Sequence, residues 1–210
     1  MTSMRFLART VAPVLLLAAL AGCADATTPG GAPSIAGPDA PPATIPADGE
    51  VLGVGTVLAN DGEDPRLCLG PVAESYPPQC GGPPVVGWDW AAVEGEESAS
   101  GVTWGGYAVQ GTWDGTVFTL TQPPIMLALY DPMATVDPRE DPANAGSNDE
   151  AELVAIQDEL PDAVDLLGSY PSNGYLFVDV LYDDGQIQQF VDEAYGDNVV
   201  AVRSALRELG

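Results

Sequence analysis

The 210-residue chain carries 31 acidic residues against six arginines and has neither lysine nor histidine, giving a formal net charge of −25. Such a chain is repelled by phosphate backbones and anionic lipid, which excludes nucleic-acid binding and polybasic membrane attachment. Without His or Lys there is no Ser-His or Cys-His pair, no Ser-Lys dyad, no Schiff-base lysine and no histidine-based zinc site. The apolar fraction of 46% is that of a chain with packed cores, not a disordered one.

In residues 1–22, Arg5 and Arg9 precede the apolar run VAPVLLLAALAG, which is too short for a spanning helix and suitably flanked for a signal peptide. The run ends in Leu20-Ala21-Gly22-Cys23, which resembles the lipobox of bacterial lipoproteins. That resemblance implies that Cys23 takes a diacylglycerol and becomes the first mature residue. Acyl chains such as palmitate would then hold the protein on the extracytoplasmic face of the cell membrane. Cleavage there leaves four arginines against all 31 acids, a net charge of −27. Residues 23–49 are rich in Pro and Gly without apolar periodicity, and are expected as a tether reaching roughly 80 Å.

Residues 50–130 carry short β-branched and aromatic runs punctuated by Gly and Pro, with no helical spacing. They predict a small antiparallel barrel, OB-like in topology, as the first part of an α+β protein. Asp114-Gly115 predicts a two-residue hairpin turn between strands at 106–113 and 116–121. Once Cys23 is lipidated, Cys68 and Cys80 form an even pair in an exported chain, which predicts a disulfide stapling the loop between them. The spacing of Trp88 and Trp90 places both on one face of a strand. Together with Tyr76 on the stapled loop, they are expected to form a rim surface that recognises a glycan or an envelope protein.

The block LCLGPVAESYPPQCGGPPVVGWDW, with WGGYAVQGTWDG and VDVLYDDGQIQQFVDEAYG further on, is similar to blocks in uncharacterised exported proteins and lipoproteins of actinobacteria. The resemblance implies an exported actinobacterial protein and brings no catalytic residues with it.

Residues 131–146 read as an acidic linker. Calcium is the one cofactor that Asp137, Glu140, Asp141 and Asn144, continuing into Asn148, Asp149 and Glu150, have the oxygens to suit, although their spacing matches no EF-hand. Residues 147–210 change period and predict a small α/β domain. Ser147 and Glu150 form a capping-box pattern ahead of a helix carrying Leu153, Ile156 and Leu160. A strand at 175–182 presents Leu176, Val178 and Val180 on one face. Asp183-Asp184-Gly185 then starts a helix lined by Ile187, Phe190, Val191 and Ala194 and ended by Gly196, and 198–202 forms a second strand, parallel to the first.

These readings point to a membrane-anchored cell-surface lipoprotein whose ectodomain binds or scaffolds without enzymatic chemistry. One alternative is a cell-envelope hydrolase using paired carboxylates among Glu74, Asp89 and Glu94. Another is a purely structural envelope component.

Overall fold

The computed structural model describes residues 45–131 and 136–209, so Cys23, the signal segment and most of the tether lie outside the described residues. Seven strands come from the first part of the chain: β1 (Glu50–Asn60), β2 (Arg66–Cys68), β3 (Val85–Val86), β4 (Glu97–Ala99), β5 (Val102–Trp113), β6 (Phe118–Leu120) and β7 (Ile125–Met126). The remainder supplies helix α1 (Glu150–Glu159), strands β8 (Gly168–Ser172) and β9 (Tyr175–Val180), helix α2 (Gln186–Tyr195), and strands β10 (Val200–Ser204) and β11 (Arg207–Glu208). The fold is mixed α+β and mostly sheet. An eight-stranded sheet curls into a half-barrel, beside a three-stranded sheet ordered β10-β9-β8 and two helices. Among the described residues no helix is long and apolar enough to cross a membrane.

The spine of the large sheet is the antiparallel pair β1–β5, in continuous register from Glu50 opposite Thr112 to Asn60 opposite Val102. Period-2 alternation puts Val51, Val57, Tyr107, Val109 and Trp113 on one buried face. On that face four successive cross-strand pairs each set one glycine against one bulky residue: Val51–Gly111, Gly53–Val109, Gly55–Tyr107 and Val57–Gly105. Small against large at every step lets the sheet curl over its own side chains. The spaces are filled: a Cβ on Gly105 would lie 2.7 Å from the Tyr107 ring, and one on Gly53 would lie 3.0 Å from Leu206.

Leu206, fully buried, comes from the far end of the chain. Beside it β11 pairs with β1, and the Tyr182 hydroxyl donates to Glu208 at 2.6 Å. The expected boundary at 131–146 therefore falls inside one compact unit with a continuous core. The described part of that acidic stretch forms two proline-led 3-10 turns, Pro138–Glu140 and Pro142–Asn144, capped by Asp137 and Asp141. Asn173 donates to the carbonyls of Arg139 and Asp141, and the Tyr175 hydroxyl to that of Asn144, so the stretch is latched onto the β8–β9 hairpin.

In the second half, α1 starts at Asp149, whose carboxylate accepts from the Ala151 amide, rather than at the expected Ser147 box. Leu153, Ile156 and Leu160 are buried as their spacing predicts. β9 buries Leu176, Val178 and Val180, and β10 runs parallel to it across α2. α2 is capped by Asp183, which accepts from the amides of Ile187 and Gln188, and is closed by Gly196. Ala194 is exposed, so the buried stripe of α2 is narrower than its sequence suggests.

Candidate functional site

The Cys68–Cys80 disulfide forms as expected, with a Cα–Cα distance of 5.9 Å. Its base is fixed to the sheet. Cys68 ends β2, the Leu67 amide donates to the Pro83 carbonyl at 2.9 Å, and Val85 donates to Pro65 at 2.8 Å. Within the loop Ala73 bridges Gln79, with its amide donating at 2.8 Å, and the Ser75 hydroxyl donates to the Pro77 carbonyl at 2.8 Å. The Tyr76–Pro77 peptide bond is cis. Stapled at its base and bonded across its middle, the loop presents Glu74, Ser75 and Tyr76 to solvent. Tyr76 is 73% exposed, and its ring stands edge-on to Trp104 with centroids 5.4 Å apart.

Trp88 and Trp90 are not strand residues. β3 stops at Val86, Gly87 takes a φ of 87°, and Trp90 begins a 3-10 turn capped by the Asp89 carboxylate, which accepts from Ala91 at 2.9 Å. Their rings still meet, at 5.1 Å, because the turn folds both over Tyr107, which lies 4.9 Å from Trp88 and 6.5 Å from Trp90. Tyr107 is buried and its hydroxyl donates to the Glu94 carbonyl at 3.2 Å; burial, helped by nearby Glu96, holds the phenol above its ordinary pKa. The Trp88 Nε1 is buried with no partner among the described residues.

The expected rim of Tyr76, Trp88 and Trp90 does not assemble. Trp104 and Tyr107 are three positions apart in β5 and so point to opposite faces of the sheet. Trp88 and Trp90 pack with Tyr107 on the core side, while Tyr76 lies on Trp104 on the outer side. The outer face continues along β5, where Leu127 lies over Gly106 and Ile125 pairs with Ala108; Leu127 and Ile125 are both exposed. Trp104, which lies on this same face of β5 and packs against Tyr76, could have been placed by β5 alternation alone.

The carboxylates are dispersed in structural roles. Asp89 caps a turn, Glu94 contributes its backbone carbonyl, and Glu74 sits on the loop tip. In the stretch considered for calcium, Asp137 binds Arg139, Glu140 binds Arg203, Asp141 and Asp149 cap their turn and helix, and Asn148 donates to the Gly174 and Asn198 carbonyls. Among the described residues no group of three or more acids or cysteines gathers as a metal site. No protein-family model, no curated protein and no solved structure matches the chain.

Proposed function

We propose that this chain is a lipoprotein, anchored through Cys23 to the outer face of the cell membrane, whose ectodomain binds an envelope protein and performs no chemistry. The observation that carries the reading is Tyr76, displayed 73% exposed on a doubly braced loop and seated on Trp104. A rigid aromatic anchor loses little conformational entropy on binding, and Tyr and Trp dominate the energetic centres of protein interfaces. The neighbouring exposed Ile125 and Leu127 extend the contact into an apolar patch of the kind that marks protein partners.

We read the half-barrel as an OB-like platform, in which a curled sheet carries recognition loops on a stiff support. The acidic remainder of the surface keeps the ectodomain soluble and away from anionic lipid. Cys23→Ser is expected to move the protein from the membrane fraction to the soluble one without altering its folded ectodomain. Quantitative recovery of that variant with membranes would contradict the anchor.

A further inference from the structure

In a chain with so few cations, three of the four described arginines line one cavity of about 640 Å³, together with Asp137, Asp179 and Ser204. The fourth, Arg66, stands half-exposed beside Glu63. We propose that the cavity of Arg139, Arg203 and Arg207 binds a small molecule through an oxyanion, a carboxylate or a phosphate.

The guanidinium groups of Arg139 and Arg203 are held in place before any ligand arrives. Arg203 donates from Nε and Nη2 to the two oxygens of Asp179 at 2.8 and 3.0 Å, and from Nη1 to Glu140 at 2.8 Å. Its plane lies over the rings of Tyr170 and Phe177, at 5.2 and 5.1 Å. Asp137 grips Arg139 through Nε and Nη2, the latter at 2.7 Å, so Nη1 is not part of that fork. Arg207 reaches the same cavity from β11. Groups already fixed by their own carboxylates lose little freedom when a ligand engages the N–H groups outside those forks, such as Nη1 of Arg139, and a charge-assisted bond from a guanidinium to a carboxylate or phosphate oxygen is a strong one.

Electrostatics singles out the same place. Asp137 and Asp179 in the wall, and Glu140 paired with Arg203, balance the three arginines, whereas the rest of the described surface is acidic apart from Arg66. With a screening length of about 8 Å at physiological salt, the groups at contact decide what binds, and among the described residues an oxyanion meets a near-neutral, guanidinium-lined wall only here. The volume falls within the range of small-molecule sites, about 300–1,000 Å³.

The test uses the mature ectodomain on its native tether, titrated at constant ionic strength with sodium glucuronate and, separately, with inorganic phosphate. The Nε–H resonances of the arginines are followed by NMR. The expected result is a saturable shift of Arg139 and Arg203 with at least one probe while Arg66 stays unmoved, the responding probe identifying the class. Arg139→Gln and Arg207→Gln should each weaken binding about tenfold, the loss of a charge-assisted contact. Tyr76→Ala should leave the titration unchanged, which separates this site from the proposed protein contact. Absence of saturation with both probes, or equal affinity in both folded arginine variants, would overturn the proposal.

Discussion

Replacing both Cys68 and Cys80 with Ala isolates what the staple contributes. The two cysteines are 12 residues apart, and for a loop of that size the chain-entropy relation gives about 3 kcal/mol of stabilisation at 25 °C, acting on the unfolded chain. A protein of this size loses about 2–4 °C of melting temperature per kcal/mol, so the double variant should melt about 6–12 °C below the parent. The bonds from Leu67 to Pro83 and from Ala73 to Gln79 do not depend on the disulfide, so the native far-ultraviolet circular dichroism should survive at 25 °C. Thermal unfolding followed by circular dichroism, with and without reductant, measures the effect, and the reduced parent should match the variant. An unchanged midpoint would show that the unfolded chain gains nothing from release of this loop and would refute the reasoning.

Asp114→Ala removes a carboxylate that accepts from the Val117 and Thr116 amides and the Thr116 hydroxyl, bonds that hold its pKa below the ordinary carboxylate value. Because the folded pKa is the lower one, the stabilisation is complete above the unfolded value near 3.9 and is lost as pH falls through the folded one. Urea midpoints of parent and variant should therefore differ at neutral pH and converge in acid; a gap that widened in acid would reverse the assignment. Gln188→Ala should expose the free edge of β10, where the Gln188 amide now donates to the Val200 carbonyl and accepts from the Val202 amide. Loss of both bonds should cost about 1–3 kcal/mol and give concentration-dependent association by light scattering, whereas a monomer of parental stability would show that this edge needs no cover.

The parts legible in the sequence are those whose cause is local. Asp183 and Gly196 bracket α2, Leu153, Ile156 and Leu160 repeat at helical spacing, and an even cysteine pair closes its own loop. Asp114-Gly115 does sit in a hairpin, but Trp113 pairs with Phe118, so the loop has four residues organised by the Asp114 side chain and not two. The β8–β9 hairpin turns on Asn173 and Gly174, with φ of 50° and 79°, a strong local turn signal that is only half of what a hairpin needs. Its first strand, GSYPS, contains a proline and too little apolar alternation to read as a strand.

Trp88 and Trp90 show the reverse error. Two-residue spacing implies a shared strand face, yet the left-handed Gly87 and the capping Asp89 turn the chain there. Other features depend on partners far apart in sequence. The glycine-to-bulky matching of β1 with β5 has no meaning until the two strands are in register. The arginine cavity joins Arg139 to residues more than 60 positions later.

The contact assigned to Tyr76 is tested most directly by placing a photoreactive phenylalanine analogue at position 76 of the full-length chain and irradiating intact cells. Position 197, an exposed aspartate after α2, serves as the control. A discrete crosslinked protein adduct from position 76, absent at position 197 and reduced when Trp104 is replaced by Ala in a chain that still folds, is the predicted result. No protein adduct at 76, or the same adducts from both positions, would contradict the claim that the stapled loop is the binding element.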